Sequence, residues 1–325
     1  MGEEAPPPSQ TEQPTTDPRS LALREWLNRK QSENRASLGL SFRDLHCHGI
    51  VSSGTVQHTV ISSTLVLPKY LLGLVSKRAP KKVQILRDFN GAVQDGEMLL
   101  VLGRPGSGCS TFLKALAGDT HGIQVDEAAK VNYQGERCAN AFRNPTSRSK
   151  PGPGISYRQL HREFKGESIY LAEIDVHFPE LTLGDTVTFA AAMRETGTAQ
   201  QSTARQTGRD IATLFDLGGA FETQIGDAMI RGISGGEKRR TSIAEALISD
   251  AQFQCWDNST RGLDSLTALR FIELLREITS TLRRTVVMSI YQASEAMYRV
   301  GCYFSRRVEA SSVPGLTSAI RNSTR

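Results

Sequence analysis

The stretch GEMLLVLGRPGSGCSTFLKALAG, residues 96–118, constrains the fold more than any other part of the chain. Its continuous apolar run bounded by glycines predicts a strand buried on both faces of a parallel sheet, and STFLKALAG predicts a helix that stops at Gly118. Strand, glycine-rich turn and helix in that order make a phosphate-binding unit. Gly103 to Ser110 match G-x-x-x-x-G-K-[ST] at every fixed position except the lysine, which is Cys109. The glycines let successive backbone N–H groups surround phosphate oxygens, and the helix adds its positive N-terminal end. Ser110 is placed to ligate Mg2+. The missing ammonium removes a charge-assisted contact worth about 1.5–3 kcal/mol.

Two further patterns lie downstream. SGGEK, Ser234 to Lys238, heads a helix expected over Gly235–Ile248. Ser234 and Glu237 have the spacing of a capping box. Two glycines in a first turn cost about 1 kcal/mol each relative to Ala, which a pure cap does not need. An anion that must approach the backbone N–H groups closely does need them. FQCWDNSTRGLDS, Phe253 to Ser265, carries an apolar strand (Gln252–Trp256) that ends on Asp257, a carboxylate at the sheet edge where a phosphate-bound Mg2+ sits. Asn258 follows, where a general base would act on an attacking water, and its amide accepts no proton usefully at neutral pH. A long helix over Leu263–Leu282 and a strand over Thr285–Ile290 complete the pattern. Taken singly, the three motifs also read as a tight connection, a helix cap and a strand-to-loop turn.

The 325 residues suffice for two ordinary domains or one large α/β domain with additions. Lys and Arg number 39 against 34 Asp and Glu, a net of +5, which by itself hints at an anionic partner. The surplus is local, however. Arg299, Arg306, Arg307, Arg321 and Arg325 face a lone Glu309, while Arg137, Arg143, Arg148 and Lys150 face Glu136, and the remaining chain is slightly acidic. No basic face is left for nucleic acid.

Cys47, Cys109, Cys138, Cys255 and Cys302 show no CxxC spacing, so neither a zinc site nor a disulfide framework is expected and a reducing compartment fits. The acidic, Pro-rich start is not a secretory signal. The most apolar stretch, Val60–Val75, is broken by Pro68 and Lys69 and falls short of the roughly 18 residues that span a bilayer. Residues 1–19 read as disordered, SLALREWLNRKQSE as a short amphipathic helix packed on the main domain or a partner, and 195–210 as an exposed loop.

Together the motifs are far more specific. With SGGEK 23 residues before Asp257 and GLDS directly after it, their order and spacing resemble the ATP-binding cassette (ABC) family. GRPGSGCST, IYLAEIDVHFPELTLGDTVTFAAAMR, IRGISGGEKRRTSIAEAL, QCWDNSTRGLDS and SIYQAS are similar to the first nucleotide-binding domain of fungal pleiotropic-drug-resistance exporters, full-size members of the G subfamily. LREWL and SFRDL match that family's lead-in. The resemblance covers roughly residues 21–135 and 154–300.

It implies an α/β P-loop NTPase fold of the ABC type, with a RecA-like core and a helical subdomain, incomplete at the C-terminus. Gly103, Arg104, Pro105, Gly106, Ser107, Gly108, Cys109, Ser110 and Thr111 become the ATP-binding Walker A loop, and Glu173 takes the Q-loop position usually held by Gln. Ser234, Gly235, Gly236, Glu237 and Lys238 become the signature, and Asp264 falls in the D-loop. Ser110 and Asp257 would hold Mg2+. Asn258 stands in the catalytic Glu position and Tyr291 in the switch His position, while His48 lies roughly where an aromatic would stack on adenine. The implied cofactors are ATP and Mg2+. The implied partners are a second cassette and the membrane domains of a full transporter, so this chain, without a spanning segment, would be the cytoplasmic part of a membrane-associated assembly.

The domain reading is a disordered 1–19, a lead-in over 20–80, the cassette over 81–300 with its helical subdomain near 180–248, a foreign insertion at 136–153, and an atypical tail at 301–325. Other readings of the same residues are a soluble, non-transporting ABC protein and a truncated remnant that binds nucleotide or a partner without catalysis.

Overall fold

The computed structural model describes residues 18–32, 38–51, 81–127, 129–134, 155–156, 159–160, 165–194, 200–302 and 308–310. In chain order its elements begin with α1 (Pro18–Ser32), β1 (Gly39–Val51), β2 (Lys81–Val93), β3 (Met98–Leu102), α2 (Cys109–Ala117), β4 (Ile123–Val125), β5 (Lys130–Gln134), β6 (Ile155–Ser156) and β7 (Ser168–Leu171). They continue with α3 (Leu183–Arg194), α4 (Gln200–Leu214), α5 (Gly235–Ile248), β8 (Phe253–Asp257), α6 (Ser265–Leu282), β9 (Thr285–Ile290), α7 (Glu295–Cys302) and β10 (Val308–Ala310). The chain divides into two compact units, one of Met1–Asn34 with Val176–Ser249 and one of Arg35–Asp175 with Asp250–Arg325.

The second unit contains two sheets. One is parallel, in the order β3-β9-β8-β7; the other is antiparallel, in the order β10-β2-β1-β5-β6, with β4 also paired to β1. Every residue of β8 and β9 is buried, which is why both are mostly apolar, with Gln254, Asp257, Thr285 and Ser289 as the buried polar exceptions. Helix α2 packs on strands of both sheets. Its Phe112, Leu113 and Leu116 share one core with Phe42, Leu86 and Phe89 of the antiparallel sheet and Val101, Phe253 and Val287 of the parallel one. Phe112 makes an edge contact with Phe42 at 5.5 Å between centroids. Helix α6 buries Phe271 edge-on against Trp256 at 5.3 Å.

A buried ion pair ties the root of this parallel sheet. The guanidinium of Arg284, the residue before β9, donates from Nε and Nη2 to the two carboxylate oxygens of Asp250 at 2.9 and 3.0 Å, and from Nη1 to Gln252 at 2.8 Å. All three side chains are buried.

The first unit is helical: α4 packs on α1, α3 and α5, and α3 also packs on α5. Trp26 and Leu27 of α1 are buried, and Arg29 donates to Asp210 of α4 at 2.5 Å.

The expected helix at Gly235–Ile248 and strand at Thr285–Ile290 are found with those bounds, and the strand before the glycine-rich turn is Met98–Leu102. The helix after that turn ends at Gly118, a left-handed cap at φ 85°. Residues 195–210 were expected as a loop, but from Gln200 onward they form α4. Within 200–210 its buried positions are Ala204, Thr207 and Gly208, small or polar residues that leave no large apolar side chain to mark a buried face, while Gln, Ala and Arg supply helix propensity. Gly39–Val51, inside the 20–80 lead-in, is a central strand of the antiparallel sheet, and Val308–Ala310, inside the tail, pairs with β2. Residues 1–17, 60–75 and 136–153 lie outside the described residues.

Candidate nucleotide site and signature helix

The phosphate loop joins β3 to α2. Gly106 (φ 81°) and Gly108 (φ 94°) both occupy the left-handed region, and a Cβ on Gly108 would come within 3.1 and 3.2 Å of the Ile85 and Leu86 side chains. Gly108 caps α2 without offering it a side-chain acceptor. The first-turn N–H groups are therefore the kind of donor set a phosphate satisfies. Arg104, Pro105 and Gly106 are exposed, whereas Cys109 is buried in the shared core, its Sγ 3.4 Å from the Ser107 hydroxyl. Burial, with Asp257 adding to it, pushes the Cys109 thiol up against a smaller opposing pull from Ser107, so the position of the motif's lysine holds a neutral group.

Register in the parallel sheet gathers the acidic side of the site. Strand β8 runs between β7 and β9, placing Asp257 opposite Ser289 and Cys255 opposite Tyr170. Asp257 is buried, accepting from the Ser289 hydroxyl on Oδ1 and from the Tyr170 hydroxyl on Oδ2, each at 2.7 Å. Burial first, then the Asp257 carboxylate, raises the Tyr170 phenol above its ordinary range. The Asn258 N–H donates to Ser289 Oγ at 2.9 Å.

Asn258 has φ 45°, a left-handed conformation that Asn tolerates better than most residues. Its amide Nδ2 donates to Glu173 Oε1 at 3.0 Å, and Arg261 donates to the same oxygen. The Tyr291 hydroxyl lies 3.5 Å from Ser110 Oγ, and burial raises that phenol too. Thr111 follows Ser110 on the first turn of α2, and His48 sits within β1 opposite Gln84 of β2 and Gln124 of β4.

Ser110 and Asp257 are hard oxygen donors on α2 and β8, two elements that pack on each other. Among the described residues there is no cluster of three His, Cys, Asp or Glu side chains able to hold a metal alone. That donor set fits a Mg2+ ion that also takes phosphate oxygens.

In the helical unit, Ser234 caps α5 in a full capping box. Its hydroxyl accepts from the Glu237 N–H at 3.3 Å, and the Glu237 carboxylate accepts from the Ser234 N–H at 2.7 Å, which lowers that carboxyl. The box employs two N–H groups and leaves those of Gly235 and Gly236 outside it. Lys238 turns away to donate to the Gly226 carbonyl at 2.6 Å. Gly226 and Gly232 approach so closely that a Cβ on Gly232 would lie 2.2 Å from the Ile225 carbonyl oxygen. His177, 2.9 Å from Ser242 Oγ and 3.4 Å from Glu245, braces α5 further along. Asp264 caps α6 by accepting from the Thr267 N–H at 3.0 Å, and its carboxyl is lowered by the Thr267 hydroxyl first and by that N–H second.

Tyr170, Ser289 and Arg261 were not singled out from the sequence. Only Ser289 left a signal there, a hydroxyl inside the apolar run TVVMSI.

With this geometry in view, the sequence model of the ABC transporter family matches residues 86–261, more than half of the chain. The chain belongs to the ABC transporter family. It is 44% identical over 271 residues to the ABC multidrug transporter atrG of Aspergillus oryzae and 41% identical over 271 residues to MDR3 of Trichophyton rubrum, covering 82% of this chain and 17% of each relative. It is 40% identical over 264 residues to the ABC-type transporter eriD of Hericium erinaceus. The chain thus spans about a sixth of the length of the relatives it matches. In fold it is similar to the ATP-binding cassette MJ0796 in a dimeric post-hydrolysis state bound to ADP and Pi, with a TM-score of 0.55, 17% identity, and coverage of 81% of this chain and 91% of that one. Among the described residues, no helix is long and apolar enough to cross a membrane.

Proposed function

We propose that this cassette is the degenerate half of a multidrug exporter's ATPase. It binds Mg-ATP weakly at Gly103–Thr111, hydrolyses it hardly at all, and offers Ser234–Lys238 to ATP held by a second cassette. The observation that carries this reading is the bond from the Asn258 amide to Glu173. The residue in the catalytic Glu position is a hydrogen-bond donor engaged within its own chain, and an amide takes no proton from a water.

The phosphate loop and the N-terminus of α2 would receive the phosphates through backbone N–H groups. Mg2+ brought by the nucleotide supplies neutralisation of phosphate charge, and Ser110 and Asp257 are the residues that would hold it. Cys109 adds no cation, and Tyr291 offers a neutral hydroxyl beside Ser110. At the other end of the chemistry, the N–H groups of Gly235 and Gly236, outside the capping box, are suited to stabilise a partner's γ-phosphate. The relatives named above are transporters, which supports membrane domains as further partners.

Thermal denaturation with and without Mg-ATP tests the binding half of this reading. A ligand that binds only the folded state raises the midpoint, and millimolar Mg-ATP is expected to do so by a few degrees. No shift would overturn it.

A further inference from the structure

We propose that Arg261 supplies this site with the phosphate-binding cation that Cys109 withholds, and that Glu173 is the positioning residue that holds it there. The inference rests on the reading of Gly103–Thr111 as a nucleotide site and adds a residue to it.

Backbone N–H groups can surround phosphate oxygens, but they leave most of a polyphosphate's charge to be met by cations. At the position of the motif's lysine stands a buried, neutral thiol. Lys114, further along α2, has its ammonium 5.5 Å from the Tyr170 ring centroid. Arg104 is exposed on the loop itself. Arg261, by contrast, is tied into the polar cluster of the site.

Its Nη1 donates to Glu173 Oε1, the same oxygen that accepts from the Asn258 amide. The guanidinium and the residue in the catalytic Glu position therefore meet on one atom. Glu173 in turn lies within electrostatic reach of Tyr291, whose phenol is raised first by burial and then by the carboxylates of Asp257 and Glu173. The Tyr291 hydroxyl is 3.5 Å from Ser110 Oγ on the first turn of α2. Arg261, Glu173, Asn258, Tyr291 and Ser110 thus form one connected group where β7, β8 and β9 end and α2 begins.

The Arg261 side chain is 67% exposed, and an ion pair so open to water contributes little to stability. The bond to Glu173 commits one of five guanidinium donors, so the fork keeps donors for an anion, and an arginine fork matches phosphate oxygens in pairs. Fixing a long side chain in advance also lowers the entropy lost when the anion arrives. Arg261 and the Mg2+ held by Ser110 and Asp257 would then share the phosphate charge.

Binding of a fluorescent ATP analogue to the full chain with Mg2+, at about 50 and about 300 mM KCl, tests this, because salt screens an exposed charge contact. Arg261→Gln is expected to weaken binding at least fivefold at low salt and by much less at high salt, and Arg261→Lys to recover part of the loss. Equal weakening by Gln at both salts, or by Gln and Lys alike, would mark a packing role and overturn the inference. So would a folded Arg261→Gln that binds within twofold of the natural sequence, whether or not Arg104→Gln weakens binding. Should Arg261→Gln not fold, an affinity of the natural sequence that is the same at both salts overturns it. Absence of binding by the natural sequence at either salt overturns the reading of the site, and this inference with it.

Discussion

The glycine-rich loop with its acidic strand ends and the start of α5 are the two places where the chain resembles nucleotide-binding motifs, yet they use their polar groups in opposite ways. Around Asp257 the chain satisfies its own chemistry. Tyr170 and Ser289 bind the carboxylate, Asn258 and Arg261 bind Glu173, Tyr291 lies against Ser110, and Cys109 is packed into the core. At Ser234 each of two side chains accepts from the other residue's backbone N–H in a local box, and Gly235 and Gly236 remain outside it. One region engages its polar side chains with one another across the sheet, whereas the other confines its bonding to a single local box.

Breaking the structural side should cost most. Asp250→Asn keeps size and tolerance of a left-handed backbone but leaves the buried Arg284 guanidinium without its counter-charge. The expected loss is about 3–5 kcal/mol in urea unfolding. A loss below about 1 kcal/mol would mean that the buried pair does not hold the root of the parallel sheet.

A smaller effect is expected from restoring the carboxylate of an active cassette. Asn258→Glu sets a second carboxylate against Glu173 and puts a residue less suited than Asn at φ 45°. Destabilisation is expected, relieved in part by Glu173→Gln, with a coupling of about 0.5–3 kcal/mol in the double-mutant cycle. Additive effects would separate the two positions and remove the contact from the account.

The smallest effect belongs to the signature side. Ser234→Ala should cost about 1 kcal/mol, and Ser234→Asp should recover most of it. Glu237 is held below its ordinary value by its bonds to Ser234, so the box contributes fully above the unfolded carboxyl range and is lost as pH falls through the depressed value. The stability gap between Glu237→Ala, which removes the carboxylate, and the natural sequence should therefore narrow at acid pH. A gap that stays constant down to strongly acid pH would show that the carboxylate half of the box contributes nothing.

What the sequence disclosed follows the same division. Strands β3, β8 and β9 are mostly apolar because they are buried, and the loops after β3 and β8 carry the motif spacings. Those were readable. The antiparallel sheet was not, since LHCHG in β1 and ILRDFNG in β2 mix polar and apolar residues without a clean alternation, and bulges between Phe42 and His48 break the period further. The first part of helix α4 reads as a loop because its buried positions up to residue 210 are Ala204, Thr207 and Gly208, with Ile211 lying just beyond. In the site, each motif residue was legible but its partner was not. Tyr170 reaches Asp257 only because β7 and β8, 87 positions apart at these residues, run in parallel register. Arg261 meets Glu173 because the loop after Asn258 turns back toward the end of β7, which no local pattern encodes.

The central claim, that the cassette's own site holds nucleotide without consuming it, is tested most directly by single-turnover chemistry. Protein in excess over radiolabelled ATP and Mg2+ should bind the label, and after many minutes the bound nucleotide should be recovered as ATP. Conversion to ADP at a measurable rate, abolished by Asp257→Ala, would contradict the account.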